Sequence, residues 1–366
     1  MSDPRQAKRR RDPRKQVVIP FARRHFPQEI IKSLESVVSL SVRRPIEVYS
    51  DWVFITEATL QVLPDQLRAV GATGRFAPDP PEVAETFARV RSHYDPKSLG
   101  ADRARRVWDD FAQAFALLLE ATAPGLWGEP NSLSIAGPLS GPDILGFIYQ
   151  TWANGSNRIR GEIYTPWPLA RLLAELTLGQ SGERLVYDRL KAALCHPDNI
   201  LGAATLLAGL TLPADEPDAI KEYFITRVVP SAVGAYIPVT VCDPAIGTNI
   251  LNLAAASVMP DWMVKLALIR FVGQDVSNLA VACSKCSVAL YGLNGYALKL
   301  EAAAAEALTA HRLHPGDSTP ALPPAPAEAI RQVYRNGRTA PPVVGSSFEA
   351  MFRAAVGRAP AVAEAA

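Results

Sequence analysis

Val239-Thr-Val-Cys-Asp-Pro-Ala-Ile-Gly247 constrains this chain more than any other stretch. It reads as a buried strand that stops at a carboxylate, turns over Pro244 and Gly247, and enters an apolar helix from Ile250. A second apolar run, Ile269-Arg-Phe-Val-Gly-Gln-Asp275, closes on another acid 32 residues after Asp243. That distance fits one strand–helix–strand unit of a parallel sheet. The Gly turn lets backbone approach a ligand, the helix start offers free N–H groups, and the acids accept hydroxyls or an amine. The pattern fits a nucleotide-like ligand site, and equally an ordinary α/β crossover with solvated acids at its strand ends.

The 366 residues, 48% hydrophobic and 20% charged, are enough for two or three domains with a sizeable core. No run of 18 apolar residues is present, so no spanning helix is expected, and Met1-Ser-Asp-Pro-Arg-Gln-Ala-Lys8 has no apolar signal region. Four cysteines do not make a disulfide framework, and a cytoplasmic setting follows. Cys283 and Cys286 read as small apolar residues of a buried helix rather than metal ligands, and no metal site is expected.

Charge is unevenly placed. Arg5, Lys8, Arg9, Arg10, Arg11, Arg14 and Lys15 stand against Asp3 and Asp12, so residues 1–15 carry +5 of a net +2, leaving −3 elsewhere. The bulk of the chain is not a basic platform. The arm, through Lys8, Arg9, Arg10, Arg11, Arg14 and Lys15, suits phosphate contacts on DNA, and equally a solvated disordered tail.

Residues 16–135 read as a helical N-terminal domain. His25 to Val38 starts a helix with Pro27 in its first turn and Ile30, Ile31, Leu34, Val37 and Val38 at helical spacing. Trp52 to Leu63 fits helix or strand. Asp79-Pro80-Pro81 reads as a helix start. Asp102 to Ala121 is an amphipathic helix with Val107, Trp108, Phe111, Phe115, Leu118 and Leu119 on one stripe. Pro142 is expected at the first position of the next helix. Thr165 is placed to cap a helix opened by Pro166, with Leu169, Leu172, Leu173 and Leu176 as its buried face and Gly179 at its end. Residues 181–235 read as a helical insertion, and Ser277 to Leu290 as a helix. An Ala-rich helix is expected over Leu300 to Ala310, and 319–366 form a Pro/Ala-rich tail.

Three motifs in order carry a resemblance: Asp143-Ile-Leu-Gly-Phe-Ile-Tyr149 with Gly161-Glu-Ile-Tyr-Thr-Pro166; Asp243-Pro-Ala-Ile-Gly-Thr-Asn249; and Gly273-Gln-Asp275. Ser287-Val-Ala-Leu-Tyr-Gly292 and Gly316-Asp-Ser318 extend it. The set, over roughly 140–180 and 236–318, resembles N6-adenine DNA methyltransferases, closest to the modification subunit of type I restriction–modification systems. The resemblance implies an α/β fold: a helical N-terminal domain, then a partial Rossmann-type methyltransferase core over 136–318. It implies S-adenosyl-L-methionine as cofactor, with Tyr164, Thr165 and Pro166 at its methionine end. Asp243, Pro244, Ala245 and Gly247 would cradle the amino acid, Asp275 would hold the ribose hydroxyls, and Asp317 would lie by the adenine. DNA, and a specificity or catalytic partner subunit, are the implied partners, with no membrane.

The chain departs from that family in three ways. Asn249 replaces the second Gly of the cofactor loop, and Asn tolerates positive φ better than most residues. Residues 181–235 lengthen a connection that is short in the family. The catalytic Asn/Asp-Pro-Pro-aromatic motif, which engages the flipped adenine, has no counterpart downstream of Asp317, where 49 residues remain. No catalytic residue can be named. The rival reading is a catalytically inactive methyltransferase-fold scaffold or DNA-binding subunit, or the cofactor half of a split enzyme. A Rossmann dehydrogenase is disfavoured, because Asp243-Pro244 stands where its fingerprint needs Gly.

The arm yields a direct expectation. Deleting Met1–Lys15 weakens non-specific DNA binding and flattens its salt dependence; an unchanged slope of affinity against salt makes the arm a bystander.

Overall fold

The computed structural model describes residues 25–126, 141–153 and 164–299. The basic arm, residues 161–163, the 300–310 segment and Gly316-Asp317-Ser318 lie outside them.

Four longer helices and a short one build the N-terminal part: α1 (Phe26–Ser41), α2 (Pro45–Thr73), α3 (Pro81–His93), α4 (Pro96–Leu99) and α5 (Ala101–Thr122). The expected helix starts at Pro27 and Asp79-Pro-Pro81 are both present. Ile30, Leu34 and Val37 of α1 are buried, as are Val107, Phe111, Phe115 and Leu118 of α5, while Ile31, Val38, Trp108 and Leu119 are partly covered. The ambiguous Trp52–Leu63 run is helical, within α2. Its start is fixed by Glu47, whose carboxylate accepts the Arg44 N–H at 3.0 Å, and its end by Gly74 at φ 69°.

This core does not stop at the N-terminal helices. It takes in Ile144, Leu145 and Ile148 of α6 (Ile144–Ile148), which a π-turn continues to Ala153. It also takes in Ala282, Cys283 and Cys286 of α14 (Asn278–Leu290), which packs along α2. Both thiols are buried there, as the apolar reading of the C-x-x-C expects. Asp143, not Pro142, starts α6: its carboxylate accepts the Gly146 N–H at 2.8 Å, a bond Pro142 cannot supply.

A helical layer follows: α7 (Trp167–Thr177), α8 (Gly179–Leu194), α9 (Ile200–Gly209), α10 (Pro217–Tyr223) with a π-turn to Val228, and α11 (Val229–Ala232). Here the sequence expectation for α7 fails in three respects. Pro166 is the residue before the helix and Thr165 makes no cap; Trp167 leads, with its ring against Gly141. Gly179 opens α8 instead of closing α7. Most consequentially, Leu169, Leu172, Leu173 and Leu176 face outward, and the buried face is Trp167, Ala170 and Ala174. The alanines let α7 lie close against α12 (Ile250–Ser257), which leaves no room for leucines in that seam.

The sheet has three parallel strands in the order β1 (Val239–Asp243), β2 (Ile269–Asp275), β3 (Gly295–Lys299). β1 and β2 match the expected bounds, and β3 was not foreseen. The short helices α12 and α13 (Asp261–Lys265) join β1 to β2, and α14 joins β2 to β3. Val239 pairs with Ile269 and Asp243 with Gly273, so both strand-ending acids stand at the carboxyl edge of the sheet. The architecture is mixed helical with a small parallel sheet. Among the described residues no helix is long and apolar enough to cross a membrane.

The helical core is anchored by Phe111, fully buried among Tyr94, Trp108 and its neighbours. Phe111→Ala is expected to cost about 3–5 kcal/mol in urea unfolding, and a loss under about 1 kcal/mol would show a core loose enough to collapse into the gap.

Candidate functional site

β1 ends where its backbone must turn. Asp243 Oδ1 accepts the Ala245 N–H at 3.0 Å, and the Ile246 N–H goes to the Gln274 carbonyl at 2.9 Å. The loop thus lies over the end of β2. Gly273 makes this possible: a side chain there would run into Ile246. Gly247 takes φ 53° and Asn249 takes φ 88°, both in the left-handed region that Gly adopts without strain. Asn is the residue besides Gly that most readily adopts it, so Asn249 fits the turn.

Asp275 holds this loop from the next strand. Its Oδ2 accepts the Gly247 N–H at 3.0 Å and its Oδ1 the Ser277 N–H at 2.8 Å, just ahead of α14. Ser277 then caps α14 by accepting the Ala280 N–H.

These elements enclose a cavity of about 250 Å³. Its floor is Asp243, Ala245, Ile246, Gly247 and Thr248; Ile250 and Leu251 of α12 form one wall; Asp275, Ser277, Leu279, Ala280 and Cys283 another. Tyr149, Tyr164 and Thr165 complete it. Of the residues singled out in the sequence, the fold brings Tyr164, Thr165, Asp243, Ala245, Gly247 and Asp275 to one cavity. Pro166 and Pro244 shape the adjoining backbone without lining it, and Asp317 is outside the described residues.

The tyrosines form a chain. Tyr164 lies 5.5 Å from Tyr149 between ring centres, and Tyr149 lies 5.8 Å from Tyr49 of α2. Tyr49 donates to the Leu145 carbonyl at 2.9 Å and stands 3.4 Å from the Cys283 sulfur. Burial pushes the Cys283 thiol up to about 12, so this sulfur is a neutral wall group, not a nucleophile.

Asp243 keeps one oxygen in reserve. Its Oδ2 is buried and has no hydrogen-bond partner. Burial raises its carboxyl above the ordinary range, and Asp275 adds to the rise against the lowering effect of the Ala245 N–H. A buried carboxylate with an unused acceptor at a cavity wall is suited to an ammonium or hydroxyl.

Asp143, Tyr149 and Thr248 were not chosen from sequence as site residues, although all three sit inside the quoted motifs. Thr248 donates to Asp143 Oδ2 at 2.5 Å, bolting the loop to the start of α6. Burial raises the Asp143 carboxyl to about 6, against the lowering effect of Thr248 and the Gly146 N–H. Asp79-Pro80-Pro81 opens α3 and does not line the cavity.

No protein-family model and no curated protein matches this chain. Among solved structures, the type I restriction-modification system methyltransferase subunit from Streptococcus thermophilus is similar at 12% identity, with a TM-score of 0.29 over 82% of this chain. This chain spans 60% of that subunit's length. A likeness of that degree is distant and does not by itself establish the fold.

The Asp143 carboxyl gives a pH test. Its folded value of about 6 lies above the unfolded 3.8, so keeping it charged costs stability. That cost is absent below about pH 4, grows as pH rises, and is complete above about pH 6, on the order of 3 kcal/mol. Asp143→Asn retains an acceptor for the Gly146 N–H and should flatten the fall in urea stability between pH 4.5 and 7. An equal fall in both proteins would remove Asp143 as its source.

Proposed function

We propose that this chain is an N6-adenine DNA methyltransferase-like protein that binds S-adenosyl-L-methionine in the cavity between β1, β2 and α14. The observation that carries the reading is the buried, unpartnered Asp243 Oδ2 in a cavity that also holds Asp275, Tyr164 and the Gly247 turn. The donor set fits the cofactor's chemistry. Asp243 accepts from its ammonium. Each Asp275 oxygen, having taken one backbone N–H, retains a lone pair for a ribose hydroxyl. The faces of Tyr149 and Tyr164 suit a cation. When bound, the cofactor supplies a methyl group on a positively charged sulfur. This chain's residues hold and orient it: Gly247 admits it closely, and Leu251 on one wall with Leu279 and Ala280 on the other exclude water.

No group among the described residues is assigned to the adenine amine, so the reading is of a cofactor-binding unit. A second reading, the cofactor half of a split enzyme, has its own observation. Among the described residues β1 has a strand neighbour on one side alone, and its Thr240 and Cys242 are exposed. Parallel sheets are ordinarily covered on both faces, with few bare edges. DNA as substrate, a specificity or catalytic partner subunit, and the division into a helical domain over 16–135 and a methyltransferase domain over 136–318 belong to the same proposal.

Calorimetric titration with S-adenosyl-L-methionine tests it. One-to-one saturable binding is expected, weakened about tenfold or more by Asp243→Ala, since a paired charge is lost, and abolished by Asp275→Ala, which also frees the loop. Absence of binding at millimolar cofactor, or full affinity in both variants, overturns the reading.

A further inference from the structure

Helix α7 is apolar on two faces. Trp167, Ala170 and Ala174 are buried, yet Leu169, Leu172, Leu173 and Leu176 are 43–74% exposed. Those leucines recur at i, i+3, i+4 and i+7, the spacing by which one helix seats against another. A helix that had no need of this face would carry polar residues there. Among the described residues nothing covers these four leucines, so ordering them at a water surface gains the fold nothing.

The neighbouring surface has the same character. α8 packs against both α7 and α9. Ile200 and Leu207 of α9 and Leu210 just after it are 66–82% exposed, and no charged residue occurs between Asn199 and Ala214. Together these residues present roughly 800 Å² of surface, above the few hundred Å² a lone domain ordinarily shows and comparable with what each partner gives to a stable interface.

We propose that this surface is where a second copy of the chain docks, with α7 against α7 of its partner about a two-fold axis. The stripe is self-complementary when run antiparallel. An axis between positions 172 and 173 sets Leu169 against the partner's Leu176 and Leu172 against the partner's Leu173, so each leucine meets a leucine and none is left over. That is the condition an isologous interface must satisfy. The dimer is independent of the cofactor reading, because the outward face of α7 is not part of the cavity.

Sedimentation velocity on the full chain tests it. A species of twice 39.5 kDa is expected at micromolar concentration. Leu172→Glu with Leu176→Glu should give monomers of unchanged circular dichroism and a dissociation constant raised at least ~tenfold. Leu172→Gln serves if the double variant unfolds. Leu172→Cys with Leu173→Cys, in a Cys195→Ser and Cys242→Ser background, should oxidise to a covalent dimer, because the axis sets position 172 of one copy against position 173 of the other. A monomer at every concentration, a dimer indifferent to these substitutions, or a dimer in which the Leu172→Cys, Leu173→Cys variant never cross-links overturns the proposal.

Discussion

The site hangs on a buried carboxylate outside the sheet. Asp143 accepts the Gly146 N–H and the Thr248 hydroxyl, so one side chain both starts α6 and fixes the loop that follows β1. Around it, Tyr291 donates to the Pro142 carbonyl at 2.6 Å and Ser287 donates to the Thr248 carbonyl at 3.3 Å. The helical core and the sheet are joined at this knot, and the cavity opens beside it. The cost is a carboxylate kept away from water, visible as its raised pKa. Such a network specifies one arrangement, because each partner lost would leave another polar group buried and unpaired.

The two strand-ending acids have separated in role. Asp275 spends an oxygen on each of two backbone N–H groups and so acts as the loop's brace. Asp243 uses one oxygen on its own turn and leaves the other bare. The last residues of two adjacent parallel strands therefore give one structural acid and one that awaits a donor. The difference follows from register: β2 extends two residues past the partner of Asp243, which carries Asp275 under the loop, within reach of Gly247.

The N-terminal helices are not a detached module. α2 shares its core with α14, and Lys285 of α14 pairs with Glu57 of α2 at 2.8 Å. Through Tyr49 the same helix backs the aromatic wall of the cavity. A change in α2 packing is thereby felt at Tyr149 and Tyr164.

By itself the sequence determined the bounds of β1 and β2, the turn at Gly247, the helices around Phe111 and Leu34, and that Asp243 and Asp275 would close the two strands. Those follow from local rules: apolar periodicity, proline at helix starts and glycine or asparagine at positive φ. The tertiary structure decided what periodicity cannot. It chose the alanine face of α7 over its leucine face, because close approach to α12 rewards small residues. It made Trp52–Leu63 helical by burying it against α14. It gave β3 its place although Gly295-Tyr-Ala-Leu-Lys299 shows no strand alternation, because Phe271 of β2 offers the Asn294 carbonyl a partner. It also told Asp243 from Asp275. Sequence marks both as acids at strand ends, but which oxygen goes unpaired depends on where the loop comes to rest.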